Sequence, residues 1–468
     1  MSGPRCYAPH VSEPRTYFIR TFGCQMNEHD SERMAGMLEA EGYRQVASPE
    51  DAGVVLFNTC CIRENADQRL YGNLGHMKAI KDRRPEMRIV VGGCLAQKDR
   101  SLIQRRAPYV DVVLGTHNLG SLPRLLRQSE QSRAFEILEQ TESFPSALPT
   151  RRNCPWHAWV SISIGCNNSC TFCIVPAVRG REQSRRLGDI AREVESLVDD
   201  GVIEITLLGQ NVNSYGRDLD GKPLFAKLLR RLDAVPGLQR IRFTSPHPKD
   251  FRQDTVDAMA ECETVCEHIH LPLQSGSERV LKLMKRAYNR ARYMAKVDMV
   301  RAAIPDVALT TDIIVGFPGE TEEDFEQTLE VVAAARYDAA YMFQYSPRPM
   351  TAAADMVGHL PKEIVQERFE RLVALQRGIS LERNQRHVGE NEEVVVEGAS
   401  KRNPRRSAGR TRTNKVVHFP GGDAAEGSMH EVRVTSAAPH HLEGALIKSP
   451  HERFALPLVV TGGCSSPT

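Results

Sequence analysis

Short apolar runs alternate with amphipathic stretches along the first quarter of the chain. Residues 16–21, 54–57, 87–91 and 110–114 read as strands, and residues 30–40 carry helical spacing. Strands separated by helical stretches imply a parallel sheet with crossover helices. Residues 126–152 show little periodicity and are rich in Ser, Gln, Thr, Pro and Arg, which reads as a linker. A second series starts at Ala158. Strand patterns at 158–164, 203–208, 240–244, 268–271, 309–315 and 340–344 are separated by helical ones such as 189–200 and 322–335. Six such units suggest a barrel or partial barrel, with a doubly wound sheet as the alternative. From Val388 the pattern changes again. Residues 392–397, 414–419, 431–435 and 445–448 look like short strands without helices, the signature of a small β-barrel. The expected fold class is therefore α/β: a parallel-sheet domain, a partial (β/α)6 barrel and a small all-β barrel.

Composition narrows the function classes. The chain has 468 residues, 41% hydrophobic and 26% charged, which excludes disordered and fibrous classes. No apolar run approaches the roughly 20 residues of a membrane helix, and residues 1–13 lack the apolar core of a secretory signal. A cytoplasmic protein with no membrane partner is expected. Sixty-one basic against fifty-nine acidic residues give a formal charge of +2, so any nucleic-acid binding must come from a local patch. One candidate exists. Lys401, Arg402, Arg405, Arg406, Arg410, Arg412 and Lys415 occur with no acid between 401 and 415. A basic loop on a small β-barrel suits a folded RNA backbone; a solvated charged loop is the alternative.

Twelve cysteines are too few and too scattered for a secreted disulfide scaffold. Three of them form Cys166-Asn-Asn-Ser-Cys170-Thr-Phe-Cys173, directly after a predicted strand. This spacing turns three thiolates toward one point. Three thiolates on an iron–sulfur cube bind three of its four irons and leave the fourth open to a small ligand. Zinc with a fourth ligand such as His157, or buried free thiols, are the alternatives. The site falls at the carboxyl end of the first barrel strand, where barrel active sites lie.

Cys24, Cys60 and Cys94 recur at one structural place, each just past a predicted parallel strand. Open α/β sheets bind ligands at that edge, and three thiolates converging from three loops would hold a second cluster. Three ordinary buried cysteines are the alternative. Cys61 adjoins Cys60, and only one of such neighbours points at a shared ligand; Cys60 is chosen because it completes Asn58-Thr59-Cys60. Gln210 and Asn211, Gln274 and Ser275 are placed at strand ends on the same face as the first set, as candidate hydrogen-bonding residues for a nucleoside or an amino-acid moiety. A turn satisfying its own backbone is the alternative there.

The first cysteine set, with Phe172 before its last member, resembles the radical S-adenosylmethionine enzymes. Both sets in this order resemble the methylthiotransferases of that superfamily. The similarity runs through Thr-Phe-Gly-Cys-Gln-Met-Asn (21–27), Leu-Leu-Gly-Gln-Asn-Val-Asn-Ser-Tyr (207–215), His-Leu-Pro-Leu-Gln-Ser-Gly-Ser (270–277), Thr-Asp-Ile-Ile-Val-Gly-Phe-Pro-Gly-Glu-Thr (311–321) and Tyr-Ser-Pro-Arg-Pro (345–349). The resemblance implies a disordered tail (1–15), an auxiliary-cluster domain (16–130), a linker (131–151), a radical domain (152–383), an RNA-binding TRAM domain (386–452) and a tail (453–468). It implies two [4Fe-4S] clusters, one on Cys166, Cys170 and Cys173 that binds S-adenosylmethionine, and an auxiliary one on Cys24, Cys60 and Cys94. The implied reaction is methylthiolation at C2 of N6-isopentenyl-adenosine beside the anticodon in tRNA. Implied partners are the tRNA anticodon stem-loop, an external electron donor and a sulfur source, with the chain a monomer. Sister enzymes act on threonylcarbamoyl-adenosine in tRNA or on a ribosomal-protein aspartate, and an iron–sulfur RNA-binding protein without turnover is the alternative of another class. Three positions depart from the family pattern: Cys61 replaces a small residue, Ala177 an aromatic, and Met350 a glycine.

Overall fold

Strands buried on both faces need apolar residues at consecutive positions, and the first domain supplies them. Val54–Thr59 is buried along its whole length and Arg88–Gly93 at all but its first residue. The computed structural model describes residues 15–61, 66–139, 148–421 and 424–447. The tails expected at 1–15 (Arg15 apart) and 453–468, and the last residue of the strand expected at 445–448, lie outside the described residues. Contacts divide the chain into two compact units, Met1–Arg151 and Arg152–Thr468. Among the described residues no helix is long and apolar enough to cross a membrane.

The first unit is a parallel six-stranded sheet: β1 (Thr16–Phe22), β2 (Arg44–Gln45), β3 (Val54–Thr59), β4 (Arg88–Gly93), β5 (Val112–Leu114) and β6 (Ala134–Glu136), in the order β2-β1-β3-β4-β5-β6. β6 corrects the reading of 131–151 as linker. Three residues are too short to show a period, yet Ala134 to Glu136 pair with Val112 to Leu114 and extend the sheet. Beyond it, Arg151 N–H donates to the Glu32 carbonyl at 2.9 Å, so the end of that stretch is also tied to the domain.

The second unit starts with β7 (His157–Ser161), the short β8 (Ser163–Ile164) and β9 (Gln183–Ser184), then β10 (Glu204–Leu208), β11 (Arg240–Phe243), β12 (His268–His270), β13 (Ala308–Val315) and β14 (Ala339–Gln344). Parallel ladders run β7-β10-β11 and β12-β13-β14. Ile241 pairs with Val265, just ahead of β12, and joins the two into one six-stranded arc. Among the described residues β7 pairs in register only with β10 and β14 only with β13, so the arc is open between its outer strands. Alternate residues face the helices outside the arc: Ala158, Val160, Ile205, Leu207, Ile241, Phe243, Ile269, Leu309 and Ile313 belong to one buried core. The intervening residues line the concave side. They are polar over most of the arc, with His157 bonded to Thr206 at 3.0 Å, Arg242 to Glu204 at 3.0 Å and His268 to Thr310 at 3.1 Å.

The last part of this unit is a closed five-stranded barrel, β15 (Asn391–Ser400), β16 (Asn403–Thr411), β17 (Val416–Pro420), β18 (Met429–Ala437) and β19 (Leu442–Leu446), around Val394, Val396, Val417, Phe419, Val432, Val434 and Leu442. β16 overturns the reading of 401–415 as a loop. Its inward residues are Ser407, Gly409 and Thr411, too small and polar to show as an apolar alternation. Gly409 is required there: a Cβ would stand 2.6 Å from the Val395 carbonyl oxygen.

The strand also divides the basic patch. Lys401, Arg402 and Arg405 are exposed. Arg406 pairs with Glu443, Arg410 with Glu397 at 2.6 Å and Arg412 with Glu267 at 2.7 Å. Lys415 is buried and reaches Asp338 and Asn384, both at 2.8 Å. The expectation that all seven residues form one RNA-facing patch is therefore corrected, because four of them spend their charge within the chain. Several of these contacts fix the small barrel against the amino ends of the arc's strands. Arg240, at the start of β11, donates to Glu393 Oε1 at 2.8 Å and to the Arg410 carbonyl at 2.9 Å. Arg242 donates to the carbonyls of Thr411 and Arg412 at 2.8 and 3.0 Å. Trp156, just before β7, packs with Val395 and Met429. The resulting prediction separates the two kinds of basic residue. Lys415→Ala removes one of the two cations paired with buried Asp338, leaving Arg383 at 3.1 Å, and lowers unfolding stability by about 1.5–3 kcal/mol, whereas Lys401→Ala stays within about 0.5 kcal/mol; urea unfolding monitored by circular dichroism measures both.

Candidate active site

The loop after β8 turns on Gly165, whose φ is 72° and where a Cβ would lie 2.1 Å from the Arg181 carbonyl oxygen. Only glycine fits that approach. The loop is then clamped at its centre. Thr171 donates from its N–H to the Met284 carbonyl at 3.1 Å and from its hydroxyl to the Leu283 carbonyl at 2.9 Å, and its own carbonyl accepts from Ala353 N–H at 2.9 Å. Phe172 packs against the apolar cluster of Val280, Met284, Phe317 and Ala353.

Held this way, Cys166, Cys170 and Cys173 line one cavity of about 190 Å³. The loops after the other strands complete it: Gln210 after β10, Ser245 and His247 after β11, Gln274 after β12, and Asp312 on β13. Every contributor lies toward the carboxyl ends of the strands, opposite the end covered by the small barrel. Ser245 and Gln274 both have positive φ, 57° and 68°, a strained conformation that clusters at functional sites.

The site's electrostatics are set by burial. It pushes the Cys173 thiol up to about 12 and raises Cys166 as well. Arg286 places its guanidinium against the Cys170 sulfur at 3.4 Å, donates to Tyr288 Oη at 2.9 Å and reaches the Pro272 carbonyl at 3.4 Å. Burial opposes its charge, but Tyr288 and Cys170 outweigh this and raise its pKa. His247 is pushed down to about 2 by burial, with Arg286 and Lys249 adding to the effect, so its imidazole is neutral and accepts from Lys249 N–H at 3.1 Å. Asn213 holds the His247 backbone from both sides, accepting from its N–H at 2.8 Å and donating to its carbonyl at 3.0 Å.

Of the four amide and hydroxyl candidates, the cavity contains Gln210 and Gln274. It does not contain Asn211 or Ser275. Asn211 donates to Asp250 at 2.7 Å and Ser275 accepts from Ser277 N–H at 3.2 Å, both buried behind the lining. Neighbours on an extended loop project to opposite sides, and the sequence alone does not fix which member of each pair turns inward. Arg286 and His247 were not expected. The Ser-Pro-His-Pro phrase at 245–248 hints at the second; no local signal marks the first.

In the first unit Cys24 precedes the helix Gln25–Ala40 straight after β1, Cys60 follows β3, and Cys94 opens the helix Cys94–Asp99 after β4. These three strands are neighbours, so their ends lie about 4.8 Å apart in sequence across the sheet. Two asparagines brace the loops. Asn58 donates to the Asn27 carbonyl at 2.7 Å and to Ser31 Oγ at 2.9 Å, and Asn27 donates back to Asn58 Oδ1 at 3.2 Å. Gly93, with φ of 91°, has no room for a Cβ, which would meet Asn58 Oδ1 at 2.3 Å. Cys61 is buried beside Cys94. A hydrogen bond with Cys94, burial and the nearby Cys60 together hold the Cys61 thiol protonated, well above the ordinary thiol range.

Among the described residues no three His, Cys, Asp or Glu side chains converge closely enough to hold a single metal ion. His157, the suggested fourth zinc ligand, stands at the amino end of β7 and bonds Thr206 instead. Thiolates that each take a different iron of a cube stand further apart than ligands of one ion. The three thiols around the cavity fit a [4Fe-4S] group, with the Arg286 charge beside one of them.

Models of known families match three stretches of the chain. The model of the Uncharacterized protein family UPF0004 matches residues 16–115, that of the Radical SAM superfamily residues 160–332, and that of the TRAM domain residues 385–447. A tRNA-2-methylthio-N(6)-dimethylallyladenosine synthase from Salinispora arenicola is 58% identical over 442 residues, covering 92% of this chain and 88% of the relative. The enzyme of the same name from Streptomyces coelicolor is 57% identical over 446 residues, with coverage of 92% and 88%. Among solved structures, the radical S-adenosylmethionine methyltransferase TsrM from Kitasatospora setae, with cobalamin and a [4Fe-4S] cluster bound, superposes with a TM-score of 0.51 at 13% identity, covering 73% of this chain and 77% of that one. The cobalamin-dependent radical enzyme OxsB gives a TM-score of 0.51 at 12% identity, covering 77% and 57%. At that identity the likeness concerns the fold.

Met350 lies in the loop after β14 with φ of 70° and its side chain exposed. The left-handed conformation explains why glycine is usual at this position. Met350→Gly is expected to raise stability by about 1 kcal/mol, read as a shift of the urea midpoint.

Proposed function

The chain belongs to the family of tRNA-2-methylthio-N(6)-dimethylallyladenosine synthases, and we propose on that footing that it transfers a methylthio group to C2 of N6-isopentenyl-adenosine next to the anticodon of tRNA. It is a radical S-adenosylmethionine enzyme with a TRAM domain. The observation that carries the reading is the single cavity at the strand ends, lined by three cysteines and by Gln210, His247, Gln274 and Arg286.

C2 of the purine carries no acidic proton and no leaving group, so substitution there calls for radical rather than acid–base chemistry. A [4Fe-4S] group on Cys166, Cys170 and Cys173, when bound, supplies an open iron for the amino and carboxylate groups of S-adenosylmethionine and the electron for its reductive cleavage. The chain's own residues prepare that position. Thr171 fixes the middle of the cysteine loop. Arg286 holds Cys170 in place and ties it to Pro272 and Tyr288. Neutral His247 adds no charge to the cavity it lines. Gln210 and Gln274 offer amide donors and acceptors to the amino-acid moiety.

Cys24, Cys60 and Cys94 are assigned to an auxiliary [4Fe-4S] group, which when bound would carry the sulfur that one molecule of S-adenosylmethionine methylates. The three strand-end loops, braced by Asn27 and Asn58, support this assignment. Cys60 is preferred over Cys61. RNA contact is assigned to the exposed Lys401, Arg402 and Arg405, with an electron donor and a sulfur source acting from outside the chain.

Anaerobic reconstitution with iron and sulfide counting tests the scheme. About eight irons per chain are expected in the unmodified protein, and about four in either the Cys24/Cys60/Cys94→Ala or the Cys166/Cys170/Cys173→Ala protein. About four irons in the unmodified chain, unchanged by the first triple substitution, would remove the sulfur donor and leave a simpler radical enzyme. Single substitutions decide the adjacent pair: Cys60→Ala loses auxiliary iron and Cys61→Ala retains it.

A further inference from the structure

The concave side of the arc is polar over its central strands, but its two outer strands are different. β7 places Trp159 there, its ring 4.5 Å from that of His157, and β14 places Tyr341 and, two residues on, Phe343. The opposite face of β14 meets the helix Lys362–Gln385, where Gln344 bonds Gln366 at 2.6 Å. Tyr341 and Phe343 remain 56% and 51% exposed, large apolar groups left in the open on one face of one strand. They are continuous with the cysteine cavity. The Tyr341 ring lies 5.7 Å from that of His270, Tyr341 is the register partner of Asp312, and both His270 and Asp312 line the cavity. His270 and Asp312 are themselves paired at 3.3 Å.

We infer that Trp159, Tyr341 and Phe343 are the substrate-binding residues for the prenylated purine, gripping it by its faces at the open side of the arc. The inference rests on the tRNA-methylthiolating reading and names the residues that would select its substrate. The chemistry favours recognition by faces. The reacting carbon lies between N1 and N3, so hydrogen bonds along that edge would cover the atom to be attacked, whereas stacking leaves it free. Asp312 offers an acceptor suited to the N6–H. Phe343 and the exposed Met350, on the loop that follows, offer apolar surface to the five-carbon N6 substituent. An RNA loop base splayed from its neighbours needs such a platform in place of the stack it has left.

The test is equilibrium binding of three stem-loop RNAs to the full-length, reconstituted protein, with N6-isopentenyl-adenosine, plain adenosine or an abasic nucleotide at the same place. Backbone contacts contribute equally to all three. The gain of plain adenosine over the abasic RNA therefore reports the purine faces, and the gain of the prenylated RNA over plain adenosine reports the N6 substituent. Tyr341→Ala and Trp159→Ala should each weaken both base-bearing RNAs by roughly tenfold, the scale of one lost base–aromatic stack, and leave the abasic RNA unchanged. Phe343→Ala should bring the prenylated-to-plain ratio toward one. Tyr341→Phe and Trp159→Phe should restore binding, which a fold defect would not. Unchanged affinities for the base-bearing RNAs in all three alanine proteins, with iron content and thermal midpoint intact, would overturn the inference, as would equal loss on all three RNAs, which marks a general RNA or protein contact. Failure of the underlying reading looks different: the affinities respond as expected, but mass spectrometry finds no methylthio product from the unmodified protein.

Discussion

Two arginines at the amino end of the strand arc, Arg240 and Arg242, are buried, and a guanidinium cannot shed its proton to escape that burial. Much of the second unit follows from where their charge goes. Glu204 takes part of it, and although burial opposes ionisation of that carboxyl, Arg242, His157 and Arg240 hold it below the usual carboxylate range. The rest goes to Glu393 and to backbone carbonyls of β16 in the TRAM domain. Buried charge networks of this kind seldom add net stability over an apolar equivalent. Their effect is geometric: carbonyls at 410, 411 and 412 meet the donors only in one register, so the small barrel sits on the arc in one orientation.

The same network explains a division of labour among basic residues that composition hides. A run of seven cations within fifteen residues suggests a single electrostatic surface. Once the run becomes a strand, alternation sends some side chains to the domain junction and leaves those at the hairpin turn in water. Arg412 and Lys415 then serve as internal counter-ions to Glu267 and Asp338. Below the usual carboxylate range Asp338 stays ionised, held there by Lys415 and Arg383 against the opposing effect of burial.

How far the sequence could be read depended on how each feature is written into it. Strands with apolar residues on one or both faces were legible to within a residue or two, as at 204–208 and 308–315. β16 was not, because Ser407, Gly409 and Thr411 fill a narrow barrel interior without apolar bulk. β6 was not, because three residues carry no period. The position of six cysteines just past strands was legible from the apolar runs and motifs around them. Their supports were not: Arg286 reaches Cys170 across 116 residues, and nothing local marks such a contact. For the pairs 210/211 and 274/275, a sequence motif names the neighbourhood, and only the loop's path decides which side chain enters the cavity.

With the small barrel seated on its amino end, the arc is a cup with a split side. Traffic to the cavity runs over the carboxyl rim or through the gap between β7 and β14, and the axis is stopped from below. The seat of the small barrel thus decides the direction of approach: a base still attached to a long polymer arrives from the rim or the split side, and its strand need not be threaded through the arc.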